Sequence, residues 1–183
     1  EIINVSDGIM VARGDLGVEI PFEELPVCQK KIVKMCRKHK KIAIVATEML
    51  ESMKHNPRPT RAEVTDISYA IYNGTDAIML SGETTTGEYV VETVEAMAKI
   101  AENIENSIIY KNIFAEEKVE TPTDAIMKSV AEATNSLNAK LIITPTISGK
   151  TARLISTLEP SCPILALVRD EKTANQLSLN YGV

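Results

Sequence analysis

Five short, largely apolar runs set the frame of this chain. They are Gly8-Ile9-Met10-Val11-Ala12, Ile42-Ala43-Ile44-Val45-Ala46, Ala77-Ile78-Met79-Leu80, Leu141-Ile142-Ile143-Thr144 and Ile164-Leu165-Ala166-Leu167-Val168. Each is continuous rather than alternating. A strand that is apolar on both faces is covered on both faces, as in parallel sheets. Helical patterns separate the runs, so the order reads βαβαβα, a break, then αβαβα. That alternation predicts an α/β fold. Ile9, Ile42 and Ile78 lie 33 and 36 residues apart. The spacing is close to the roughly 31 residues per unit of an eightfold barrel of about 250 residues. Three units cannot close such a barrel. The first part is therefore either an open sheet or an excerpt of a longer barrel. The abrupt start at Glu1-Ile2-Ile3-Asn4 and the unfinished Tyr181-Gly182-Val183 favour the excerpt.

The helices follow from apolar spacing and end signals. The first is expected from Pro21 or Phe22 to about Lys38, with Leu25, Cys28, Ile32 and Met35/Cys36 as its buried stripe. Lys30, Lys31, Lys34, Arg37 and Lys38 then form a solvated face with cations toward the C-terminal end. A second helix is expected over Arg61–Tyr72, stopped by Asn73-Gly74. Thr60 and Glu63 make a capping box at its start. A third runs from about Tyr89 to Ile109 on Val90, Val94, Met97, Ala101, Ile104 and Ile108. Residues 111–122 are polar and end in Thr-Pro, which places a domain boundary there and divides the chain into 1–115 and 116–183. Thr121-Pro122 then opens a helix with Ile126, Val130, Ala133 and Leu137 on one face, although Asp124 stands where a capping box has Glu or Gln.

Composition excludes several classes. Lys+Arg is 20 against Asp+Glu 25, a net charge of -5, which argues against sequence-independent nucleic-acid binding. No apolar run approaches the roughly 18 residues of a membrane span, and no signal segment is visible. Cys28, Cys36 and Cys162 are scattered and odd in number, which points to a reducing compartment rather than a disulfide framework or zinc site.

Polar residues follow each of the first three strands: Arg13-Gly14-Asp15, Thr47-Glu48 and Ser81-Gly82-Glu83-Thr84. Sites in parallel α/β proteins sit at this C-terminal edge. Asp15 between Gly14 and Gly17 suits a divalent cation that bridges to an anion, or it caps the next turn. Thr47 offers a hydroxyl to a carboxylate oxygen or to backbone. Met49, Leu50 and Met53 read as a packing face, and His39 and His55 as solvated. Two prolines hold Arg58 and Arg61 on a rigid segment suited to ion pairs between subunits or domains, or to ligands. In the second part, Thr146-Ile147-Ser148-Gly149-Lys150-Thr151 ends like a phosphate loop. The motif fails, because Thr144 occupies its first glycine position. What remains is an anion cradle or a capped turn at a helix start.

Together these blocks resemble the pyruvate kinase family. The segment Ser6 to Glu19 looks like the one that carries its metal-binding Asp. Ala46 to Met53, Pro57 to Glu63 and Met79 to Thr84 look like its next blocks in order. The resemblance implies the last three βα units of a TIM (β/α)8 barrel, strands six to eight, followed by part of a three-layer α/β C-terminal effector domain. It implies a parent that transfers the phosphoryl group of phosphoenolpyruvate to ADP in glycolysis, giving pyruvate and ATP. Asp15 matches the ligand of Mg²⁺ or Mn²⁺. The amides of Gly14 and Asp15, with the Thr47 hydroxyl, match the cradle of the substrate carboxylate. Arg13, Thr47, Ser81 and Glu83 match catalytic positions, the last two near a proton relay. Thr146, Ser148, Gly149, Lys150 and Thr151 match an effector loop that in many members takes a sugar phosphate.

The family further implies a cytoplasmic homotetramer with no nucleic-acid or membrane partner. Its K⁺ site, catalytic lysine and second metal-binding glutamate would lie upstream of Glu1. The isolated chain is therefore expected to be inactive, and aggregation-prone through a bared barrel edge. Glu48 departs from the family, which more often has Gln there. The alternative reading is a non-catalytic module that binds phosphorylated metabolites.

Overall fold

The computed structural model describes residues 1–107 and 119–183. The chain divides into two compact units, Glu1–Ile108 and Ile109–Val183. The expected division at 115/116 lies outside the described residues, as does Ile108 of the third helix's stripe.

In the first unit a short helix α1 (Ile2–Val5) leads into β1 (Gly8–Ala12). The chain continues through α2 (Arg13–Glu19), a 3-10 turn at Phe22–Glu24, and α3 (Leu25–Lys38). Then come β2 (Ile42–Ala46), a second 3-10 turn at Glu51–Lys54, α4 (Arg61–Tyr72), β3 (Ala77–Met79), α5 (Gly82–Thr85) and α6 (Val90–Ser107). The three strands are parallel in the order β1-β2-β3. Register aligns Ala12 with Ala46 and Ala46 with Met79. Hence Arg13, Thr47 and Leu80-Ser81 leave the sheet along one edge. The α/β reading holds, and β1 and β2 fall on their expected residues.

The core forms where α3, α4 and α6 cover the sheet. Val11, Val33, Cys36, Ala43, Val45, Met49, Leu50, Met53, Ile67 and Ala70 are buried there with Met97. Cover is fullest for the central β2, where Ala43, Val45 and Ala46 are buried; Met10 of β1 is 51% exposed. The expected helix stripes are right in period and partly in phase: Cys36, Met97 and Val130 lie inward, with Ile32 against the core, and other members face outward. In α3 the buried residues are Gln29, Val33 and Cys36, and Met35 is exposed. In α6 they are Thr93 and Met97, while Val90 and Val94 face outward. These helices carry apolar residues on two adjoining faces. Counting apolar residues therefore locates the stripe only to within about one position.

The start of α4 follows the sequence closely. Thr60 Oγ1 accepts the Glu63 amide at 3.2 Å, and Glu63 Oε2 accepts the Thr60 amide at 2.7 Å. Glu63 also accepts from the Ser52 amide at 2.7 Å and the Ser52 hydroxyl at 2.6 Å. The cap thus pins the 3-10 turn after β2. Burial pushes the Glu63 carboxyl up, but the hydrogen bonds from Ser52 and Thr60 outweigh it and hold it below the ordinary carboxylate range.

The second unit contains α7 (Pro122–Ser136), β4 (Ile142–Pro145), α8 (Lys150–Ser156), β5 (Ile164–Leu167) and α9 (Glu171–Leu177). Asp124 completes a capping box with Thr121 despite its shorter side chain. The strands β4 and β5 pair in parallel. Ile142, Ala152, Ile155, Ile164 and Leu177 form one cluster, with Met127 and Val130 of α7 against it. All three helices therefore feed one face of the sheet. On the other face Ile143 is 59% and Leu167 51% exposed. The α7 stripe is Met127, Val130, Ala131 and Thr134, and Ile126 and Leu137 are exposed. No described helix is long and apolar enough to cross a membrane.

Thr60→Ala is expected to lower the stability of the first unit by about 1 kcal/mol, read from thermal melts. Glu63→Gln costs more, because the Ser52 contacts weaken too. A depressed folded pKa gives stability that is present above the unfolded value, about 4.3 for Glu, and lost as pH falls through the folded one. The melting temperature of the unaltered chain therefore drops more steeply below about pH 4.3 than that of Glu63→Gln. Parallel curves would contradict this.

Candidate active site

The strand edge is tied together by charged side chains that bind backbone. Arg13 follows β1 directly and is 6% exposed. Its Nε and Nη2 donate to the Thr47 carbonyl at 3.1 and 2.5 Å, and Nη2 donates to the Glu48 carbonyl at 3.0 Å. Its Nη1 pairs with Asp66 of α4. One guanidinium thus spans the ends of β1 and β2 and the helix behind them. Its planar fork of donors suits this, where a lysine ammonium does not.

The turn that Arg13 grips is unusual. Thr47 has φ 72° and Glu48 φ 52°, left-handed values in two non-glycine residues. Such residues cost of order 1–3 kcal/mol each and persist only where surroundings hold them. The strained turn aims the Thr47 hydroxyl at the first turn of α2, where Oγ1 accepts the Gly14 amide at 2.9 Å. The hydroxyl's own hydrogen has no acceptor among the described residues, so it remains free to donate to a ligand. The Gly14 amide is spent on Thr47, which leaves the Asp15 amide in the first turn of α2, where no intrahelical acceptor exists.

Asp15 is exposed, and its carboxylate caps nothing in α2. It has no partner among the described residues, which also hold no group of three or more metal-ligating side chains. Glu48 also has an exposed side chain, so its departure from Gln puts charge at the rim while its carbonyl serves Arg13. Lys54 answers that charge. Its hydrogen bond to Glu51, with the nearby charges of Glu51, Glu83 and Glu48, raises its ammonium pKa above the ordinary lysine value despite some desolvation.

Glu83 proves different from a reactive group. It is 0% exposed. Oε1 accepts the Leu50 amide at 3.1 Å and Oε2 the Ser81 amide at 2.9 Å. Burial pushes its carboxyl up, but the amides of Ser81, Glu83 itself, Leu50 and Met49 outweigh that and hold it below the ordinary carboxylate range. Glu83 is therefore an ionised internal tie between the ends of β2 and β3. Ser81 is half-buried and keeps its hydroxyl at the edge, 3.5 Å from Glu83 Oε2.

Asp66 and the amides of Met49 and Leu50 had no local signal in the sequence. A buried arginine demands a carboxylate, but nothing in the chain says which one. Arg58 and Arg61 are exposed. His39 is exposed, and His55, also exposed, pairs with Glu88 at 3.0 Å.

In the second unit the Thr146 amide donates to the Leu167 carbonyl at 2.9 Å, extending the sheet. Gly149 has φ 75°, and a Cβ there would lie 3.0 Å from Leu177 Cδ2, so the turn needs glycine twice over. No side chain caps α8, whose N-cap residue is Gly149. Ser148 and Lys150 are exposed and Thr151 is half-buried.

Comparison with known proteins gives consistent matches. Residues 1–94 match the family described as pyruvate kinase, barrel domain, and residues 124–183 the one described as pyruvate kinase, alpha/beta domain. A pyruvate kinase of Clostridium acetobutylicum is 50% identical over 185 residues, covering 100% of this chain and 39% of that protein. One from Thermotoga maritima is 51% identical over 179 residues, covering 98% of this chain and 38% of that protein. A crystal structure of a pyruvate kinase from Cryptosporidium parvum superposes with TM-score 0.95 at 43% identity, covering 100% of this chain and 38% of that one. The chain thus spans well under half the length of the relatives it matches.

Arg13→Lys keeps the charge and loses the fork. It is expected to lower stability by about 1.5–3 kcal/mol, the range for hydrogen bonds to charged groups, read from the urea midpoint. An unchanged midpoint would mean the guanidinium bonds contribute nothing.

Proposed function

The chain belongs to the pyruvate kinase family, and we propose that in a full-length enzyme its first unit forms one side of a site that transfers the phosphoryl group of phosphoenolpyruvate to ADP. The observation that carries this is the bond from the Gly14 amide to Thr47 Oγ1. It fixes a hydroxyl with a free proton at the residue that precedes Asp15, whose carboxylate is exposed and without a partner among the described residues. The P–O bond to the enol oxygen breaks and one forms to the terminal phosphate oxygen of ADP. The enolate then takes one proton at carbon, giving pyruvate and ATP. Thr47 donates to the substrate carboxylate with the Asp15 amide beside it. Arg13 holds Thr47 in place. The Ser81 hydroxyl stands at the β3 end, on the side from which a proton reaches the enolate.

Asp15 is the group that would hold Mg²⁺ or Mn²⁺. One carboxylate fits this role, because Mg²⁺ keeps several waters and binds through one or two carboxylates plus substrate phosphates. The bound ion supplies neutralisation of the moving charge. K⁺ would bind outside this chain. In the second unit Thr146, Ser148, Gly149, Lys150 and Thr151 would bind a sugar-phosphate effector through hydroxyls, one ammonium and the αL turn. The division near 115/116 would separate partial barrel from partial effector domain, within a cytoplasmic homotetramer.

The test grafts these 183 residues into the Clostridium acetobutylicum enzyme in place of its matching segment. Asp15→Asn is expected to cut kcat at least about a hundredfold, the scale lost when a charge-stabilising group is removed. Lys150→Ala should weaken sugar-phosphate activation and leave unactivated turnover intact. Unchanged kcat in the first variant, or unchanged effector affinity in the second, would overturn the corresponding assignment. The 183-residue chain alone should show no turnover of phosphoenolpyruvate and ADP; measurable turnover would contradict that.

A further inference from the structure

We propose that Glu83 is a positioning residue that acts through Thr47: its buried carboxylate locks the far side of the left-handed Thr47–Glu48 turn and so sets where the Thr47 hydroxyl points. The inference rests on the functional reading above for its kinetic consequence, and on geometry alone for its structural one.

The turn is clamped from two directions. From the β1 side, Arg13 takes the carbonyls of Thr47 and Glu48. From the β3 side, Glu83 takes the Leu50 amide, only two residues beyond Glu48. Between these clamps Met49 and Leu50 are both 0% exposed, so the segment cannot relax toward solvent. Guanidinium donors therefore hold the carbonyls, and carboxylate oxygens hold the amides that follow. Neither ion can substitute for the other, because a guanidinium has no acceptor and an ionised carboxylate no donor. The second oxygen of Glu83 is anchored at the Ser81 amide, so the β2-end turn is referenced to the β3 end. Gly87 lets the chain pass close behind: a Cβ there would lie 2.3 Å from the Glu83 carbonyl oxygen.

Glutamine at this position has nearly the same shape, but one acceptor becomes an NH₂ that faces a backbone N–H. One amide loses its partner, and the turn is released on one side. A group acting through Thr47 loses its effect once the Thr47 hydroxyl is gone. A group that merely stabilises the fold does not.

The test is a double-mutant cycle in the grafted enzyme. Glu83→Gln alone is expected to lower kcat at least tenfold while the KM for ADP stays within twofold. Thr47→Ala also lowers kcat. The double variant should be no slower than the slower single variant, with the pH profile unchanged in shape. Two multiplying losses, or a kcat within twofold of the parent for Glu83→Gln, would overturn the proposal. Loss of a pH limb in Glu83→Gln would mean that Glu83 transfers protons, and would overturn it too. Where Glu83→Gln does not fold, Glu83→Asp runs the same cycle, since it draws the charge back by one methylene. If the unmutated graft is inactive, the functional reading fails by itself. The cycle is then read on melting temperature, where non-additive losses at Thr47 and Glu83 support the tie and additive losses overturn it.

Discussion

The first unit depends on one turn held between two buried ions of opposite sign. Thr47 and Glu48 adopt backbone angles that non-glycine residues resist. They keep them because Arg13 binds their carbonyls and Glu83 binds the amide of Leu50. A buried ion is costly unless every one of its polar atoms is engaged, and here the partners are mainly backbone. The strain and the desolvation are thus offset by the same few bonds. The middle strand β2 carries this turn, so its two neighbours are set relative to one another through it.

Much of this was legible from local pattern. Continuous apolar runs marked the strands, and β1 and β2 begin and end where the runs do. Thr60 and Glu63 announced the start of α4, because a cap is a contact over three residues. Strand register then put the three polar clusters on one edge, which spacing alone had suggested. Helix phase was less legible. Val90, Val94, Ile126 and Leu137 are apolar yet exposed, and nothing local separates them from Thr93, Met97 and Ala131, which are buried. In the second unit, Ile143 and Leu167 sit in continuous apolar runs yet are exposed among the described residues.

The roles of polar residues were least legible, because they depend on partners far along the chain. Glu83 looked like a site carboxylate from its place after β3. Its partners at Leu50 and Ser81 show that it faces inward. Asp66, 53 residues from Arg13, carried no signal at all. Asp15 went the other way. Its sequence context allowed a capping role, and the structure leaves it uncapped, exposed and adjacent to the Thr47–Gly14 bond. The site therefore divides into groups that build the edge and groups that face outward from it. Only the second set resembles what a sequence motif is usually taken to mean.

The claim that the edge is built before any ligand arrives is tested most directly by hydrogen exchange. Exchange mass spectrometry on the grafted enzyme without ligand would follow peptides covering residues 47–53. The Leu50 amide is expected to exchange as slowly as the amides of β2, and Glu83→Gln to speed it at least about tenfold while β2 itself is unaffected. Exchange at the rate of an exposed loop in the unaltered protein, or a Leu50 rate indifferent to Glu83, would contradict it.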